Sequence, residues 1–149
     1  MDEKQASTHP KRNSLMQPSD QLVSKVPAPV VANARTANTV NGGRVADYNV
    51  AAWLLVPGMA ELPVTLIARY RDGEQVREVV IDHGSLNGHG RILLSGVARL
   101  PFRQRIEDLQ IRLRAALQLS RLTVEELFIQ AVEQIHTSDQ RLPANSLSL

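Results

Sequence analysis

The sequence predicts an all-β domain built as a sandwich, and three observations carry that expectation. Apolar residues recur at every second position through several short runs. Two of those runs flank Asp72-Gly73, a pair that marks a hairpin turn. A glycine-rich connection and the Pro57-Gly58 breaker pair separate the others, leaving little room for long regular helices.

The runs can be taken in order. Tyr48 to Val56 is apolar and closes on Pro57-Gly58. Leu62 to Tyr70 places Val64, Leu66, Ala68 and Tyr70 on one face and Thr65, Ile67 and Arg69 on the other. Gln75 to Asp82 resumes after the turn. His83 to Gly90 holds three glycines with Ser85 and Asn87, which reads as a loop. From Arg91 to Leu100, Ile92, Leu94, Gly96, Ala98 and Leu100 alternate with the intervening residues, and Leu109, Ile111 and Leu113 alternate with Gln110, Arg112 and Arg114. Leu122 to Gln130 reads as a last strand. An alternative stands beside it: Thr123 and Glu126 have capping-box spacing, and residues 103–136 are rich in helix formers, which would make the fold α+β with two C-terminal helices.

These segments divide the chain. Residues 1–44, interrupted by Pro10, Pro18, Pro27 and Pro29, read as a disordered arm that could contribute an edge strand around Val23 to Val31. Residues 45–136 form the sandwich domain, and 137–149 a flexible tail. The formal net charge of +2 comes from residues 1–43, where five basic residues meet three acids; the remainder is balanced. A general nucleic-acid footprint is therefore not expected. Cysteine is absent from the 149 residues, which excludes disulfide scaffolds, cysteine-ligated zinc and thiol nucleophiles. No apolar run approaches the roughly 20 residues of a membrane helix. The N-terminal residues begin with acids and lack a hydrophobic segment, so neither a secretory signal nor a transit peptide is read there. The expected location is cytoplasmic by default, without a membrane partner, with non-classical export left open.

The order of motifs carries more than any one of them. Tyr48-x-Val50-x-Ala52-Trp53-Leu54, then Leu62 to Leu66, then Gly90 to Phe102 (GRILLSGVARLPF), then Ile106 to Leu113 (IEDLQIRL), then Leu122 to Gln130 (LTVEELFIQ), resembles the later part of a jelly-roll carbohydrate-binding module, the galactose-binding-like β-sandwich. The resemblance covers residues 47–130. It implies a jelly-roll-like sandwich, a non-enzymatic binding or assembly role, and a glycan ligand. Ile92 stands where that family has an aromatic residue, and the family's first strands have no clear counterpart. Either Val23 to Val45 supplies an edge strand, or another protein chain, including a second copy in a homo-oligomer, completes the sheet.

Candidate ligand-binding residues follow from chemistry. Five aromatic residues are few for stacking on sugars or bases. Trp53, within an apolar run on both sides, is expected in the core. Tyr70, at a strand end between Arg69 and Arg71, is the candidate exposed ring. Seven arginines between Arg91 and Arg121 oppose only Glu107 and Asp108, and Arg112 and Arg114 would share one strand face as a fork for carboxylates, phosphates or acidic sugars. The competing reading is a solvated face in which Glu107, Asp108, Glu125 and Glu126 neutralise them. The candidate binding set is thus Tyr70, Arg69, Arg112 and Arg114. His83 and His89 with Asp82 and Ser85 offer no rigid triad on a glycine-rich loop and too few ligands for a metal, so no catalytic residue, metal or cofactor is expected. Asp82 to Gly88 also resembles the D-x-S-x-x-G element of cyclic-dinucleotide-binding PilZ barrels, with one extra residue before Ser85. That resemblance implies, as an alternative, a regulatory protein binding an anionic ligand.

Overall fold

A computed structural model describes residues 18–119 and 121–132. Among them it has eight strands: β1 Ser19–Lys25, β2 Thr36–Asn38, β3 Arg44–Leu55, β4 Pro63–Asp72, β5 Gln75–Ser85, β6 Arg91–Phe102, β7 Ile106–Ala115 and β8 Thr123–Ala131. One short helix, α1 Ala28–Ala32, follows β1. No helix there is long and apolar enough to cross a membrane.

The strands form two antiparallel sheets. Sheet I has the order β1-β7-β4-β5; in sheet II, β3 pairs with β6 on one side and with β2 and β8 on the other. The two sheets face each other as an all-β sandwich. Its core is the inward set that alternation marks: Tyr48, Val50, Ala52 and Leu54 on β3 meet Val64, Leu66, Ala68 and Tyr70 on β4, with Leu94, Ala98 and Leu100 opposite Leu109, Ile111 and Leu113. The helical alternative for residues 103–136 is overturned over the described part. Period-two burial on β7, and pairing of β8 along β3, outweigh the helix propensity of the Leu, Arg, Glu and Gln residues.

Two boundaries also differ from the sequence reading. Sheet I begins at Ser19, where β1 pairs with β7; the strand in this stretch thus lies at Ser19–Lys25 rather than around Val23 to Val31, whose second half is taken up by α1 because Pro27 and Pro29 suit a helix start and not a strand. Residues 1–17 of that arm, and the tail 137–149, lie outside the described residues. Strand β5 continues through Ser85, shortening the glycine-rich loop to residues 86–90. There the Asn87 side chain accepts from the backbone amides of His89 (2.8 Å) and Arg91 (2.9 Å), which ties the loop to the start of β6. The Asp72-Gly73 hairpin is present, and its two-residue loop places Gly73 at φ 66.

One carboxylate links the hairpin to the rest. Asp72, almost fully buried, accepts hydrogen bonds from the backbone amides of Arg103 and Gln104 at 2.8 Å and Arg105 at 3.3 Å, and from Arg77 Nε at 3.1 Å. Burial alone would raise its pKa; these four donors outweigh it and hold the carboxyl below its ordinary 3.8. The turn from β6 in sheet II to β7 in sheet I is thereby anchored on β4.

The β5 and β6 edges close one side of the sandwich. Asp82 Oδ2 accepts from the Ser95 amide at 2.9 Å, and a Cβ at Gly96 would stand 2.6 Å from the Ile81 carbonyl oxygen. Gly96→Ala should therefore push the two edges apart, lowering stability by about 1–3 kcal/mol in denaturant titration. Asp72→Asn should cost about 3 kcal/mol at neutral pH. Because the folded pKa is depressed, Asp72 stabilises fully above its unfolded value and less as pH falls through the folded one. The gap in Tm between wild type and Asp72→Asn should accordingly narrow well below pH 3.8.

Candidate functional site

The arginines singled out in the sequence gather on the outer face of sheet I. Arg112 and Arg114 on β7 and Arg69 on β4 project there because they alternate with core residues. Asp20 on β1 takes Arg112 Nε at 2.6 Å and Arg114 Nη2 at 2.6 Å, and Arg69 Nη2 lies 3.4 Å away. Glu78 on β5 takes Arg114 Nη2 at 2.9 Å and Arg69 Nε at 3.0 Å. Arg112 Nη1 donates to Gln110 at 2.7 Å, and Ile67, its cross-strand neighbour, is buried among these side chains. Burial raises the Asp20 pKa, and hydrogen bonds from Arg114 and Arg112 outweigh it, leaving the carboxyl below its usual value. Arg114 likewise lowers Glu78, more than burial raises it.

This is a face with internal partners. For Arg112 and Arg114 they are not the acids the sequence suggested; of those acids, Glu107 pairs with Arg105 and Arg71, Asp108 with Arg71, and Glu125 with Arg91. Asp20 was hidden by its place in the presumed arm. The three candidate arginines thus stand together, but as the clamp that holds β1 on the sheet.

Tyr70 does not join them. Its ring is fully buried and its hydroxyl donates to the Pro101 carbonyl at 2.6 Å, so the expectation of an exposed ring is overturned. Tyr70 shares the inward register of Val64, Leu66 and Ala68, and the flanking arginines point the other way. Asp82 is likewise committed, accepting from the His83 and Ser95 amides, while His83 and His89 are exposed. In the segment that resembles the PilZ element, Asp82 thus serves the backbone of β5 and β6. Near the start of β7, a cavity of about 470 Å³ opens between Val26, Val31 and Leu109, with Lys25 on its rim.

The aromatic rings open to solvent lie on sheet II. Trp53, expected in the core, is 44% exposed, and Phe128 is 52% exposed. With Tyr48, Val50, Ala52 and Leu54 inward, Trp53 must face outward; the run concealed this because Ala51 and Leu55 beside it are apolar too. On β8 a bulge at Glu125 breaks the alternation, which hid the outward register of Phe128. Across the face, Trp53 sits between Leu93 on β6 and Glu126 on β8, Ala51 between Ser95 and Phe128, and Asn49 between Val97 and Gln130. Leu93 and Val97 are exposed as well. Ion pairs bound this strip at both ends: Arg99 grips Asp47 at 3.0 and 2.8 Å, and Arg91 grips Glu125 with two bonds of 3.2 Å. The result is a flat apolar strip with amide, hydroxyl and carboxylate groups beside it.

No family model and no curated protein matches the chain. Among solved structures it is similar to part of a chain that comprises the CBM22-1 and GH10 modules of the Clostridium thermocellum endo-1,4-beta-D-xylanase 10B, solved with xylohexaose. Identity is 9% over 74% of this chain, with a TM-score of 0.47, and the match spans 28% of the xylanase chain.

The buried phenols provide a test of this arrangement. Burial pushes Tyr48, whose hydroxyl donates to the Val31 carbonyl at 2.9 Å, and Tyr70 up to about 12. A phenolate absorbance titration should show neither of the two tyrosines ionising near the ordinary 10.0. Above that pH, alkali favours the unfolded chain, in which both ionise. A phenol titrating near pH 10 in the folded protein would contradict the packing.

Proposed function

We propose that this chain is a non-catalytic binding module whose ligand surface is the outer strip of sheet II, and that its ligand is a glycan of low charge. The exposed pair Trp53 and Phe128 carries the reading. An indole or phenyl face covers the apolar face of a sugar ring while neighbouring polar groups hydrogen-bond its hydroxyls. Asn49, Ser95, Glu126 and Gln130 share the outward register beside the two rings and supply amide, hydroxyl and carboxylate groups for such bonds. The bounding arginines are already neutralised by Asp47 and Glu125, which disfavours an acidic polysaccharide. The sheet I arginines, occupied by Asp20 and Glu78, are assigned to holding β1.

Trp53 is the only tryptophan, so its fluorescence reports on the strip without interference. Titration with soluble neutral polysaccharides should shift that emission and retard the protein in affinity gels. Trp53→Ala or Phe128→Ala should weaken retardation about tenfold, corresponding to the 1.4 kcal/mol of one stacked ring. Arg112→Ala with Arg114→Ala should leave it unchanged if the variant stays folded. Absence of binding to any neutral glycan at millimolar concentration would retire the proposal.

A further inference from the structure

Sheet edges offer a second observation, independent of the glycan reading. Strands β5 and β6 seal against each other through Asp82 and Gly96. Strand β1, which among the described residues pairs only with β7, is broken mid-strand by a bulge between Leu22 and Ser24 and ends in Lys25, devices that discourage pairing on its other side. Strand β8 is different. Among the described residues it pairs only with β3, and its inward side chains Val124, Leu127 and Ile129 remain only partly buried although they pack on the core.

Its backbone directions can be assigned. The Val132 amide donates to the Asp47 carbonyl on β3, so by the two-residue period Gln130 and Phe128 also turn their backbone groups to β3. The amides and carbonyls of Leu127, Ile129 and Ala131 therefore point to the open edge. Helix α1 comes close to β8, and the Tyr48 hydroxyl, from the residue paired with Ala131, reaches Val31 of α1. That places α1 at the Ala131 end, and the Glu125 bulge interrupts the other, so among the described residues, 126–130 form a regular open edge.

We infer that a second copy of this chain occupies that edge, β8 pairing antiparallel with its twofold mate about Phe128. The segment is self-complementary in this register, as an isologous contact requires. Leu127 faces Ile129 of the mate as a hydrogen-bonded pair, twice by symmetry, using the outward backbone groups. Inward, those two side chains complete the cover over each core. Outward, Phe128 meets its own copy, and Glu126 meets Gln130, so no like charges oppose. Sheet II then runs unbroken through both subunits.

The absence of cysteine makes the register directly readable. Phe128→Cys puts two thiols at a non-hydrogen-bonded antiparallel pair, where Cα atoms lie about 4.5 Å apart, within disulfide range. In a glutathione redox buffer it should form a covalent dimer about tenfold or more faster than Val97→Cys, a thiol on the same face of β6. Light scattering of wild type should give twice the 16.5 kDa chain mass. Phe128→Glu, at an exposed position, should return the monomer with unchanged circular dichroism. A wild type that stays monomeric, or cross-linking no faster than that of Val97→Cys, would overturn the inference. So would a monomeric full chain that dimerises when begun at Pro18, since residues 1–17 would then be the occupant of the edge.

Discussion

The sandwich depends on one buried carboxylate. Asp72 ends β4, receives Arg77 across the hairpin, and accepts three successive amides from the turn between β6 and β7. A turn that crosses from one sheet to the other has backbone donors with no strand to satisfy them, and leaving them unpaired inside the protein would be costly. The single side chain answers that need and simultaneously sets the height of sheet I against sheet II. Tyr70, two residues earlier, follows from the same arrangement: with the turn anchored there, its hydroxyl comes to the Pro101 carbonyl at 2.6 Å.

The two outer faces put their charges to different uses. On sheet I, three arginines and two acids cover the middle of the face and shield Ile67, and the exposed apolar side chains Leu22, Val76 and Val80 stand apart on the outer strands β1 and β5. On sheet II the ion pairs stand at the ends, and the middle is left to Trp53, Leu93, Val97 and Phe128. Exposed apolar side chains gathered on one face, rather than scattered, are what distinguishes a contact surface from an ordinary one.

Much of the architecture was legible in the sequence because alternation and turn chemistry are local. Val64 through Tyr70, Ile92 through Leu100, and Leu109 through Leu113 occupy the faces that their spacing indicates. The site was less legible for a physical reason. In β3 both faces are apolar near Trp53, so periodicity carries no sign there, and in β8 one bulged residue inverts the register midway. The partners of the arginines were hidden for another reason. Asp20 lies 92 residues before Arg112, and a pairing across that distance is decided by topology, which leaves no local mark.

That topology also bears on how the chain acquires its shape. Among the described residues β1 pairs only with β7, and β3, made before either partner, waits for both β6 and β8. Folds dominated by such distant pairings reach the native state in milliseconds to seconds rather than microseconds. Meanwhile the apolar stretch from Val50 to Val56 would be held open with both edges unpaired, a hazard of aggregation during synthesis. The late strand β8 thus acts as a timekeeper: until it is made, the central strand of sheet II has no complete place to go.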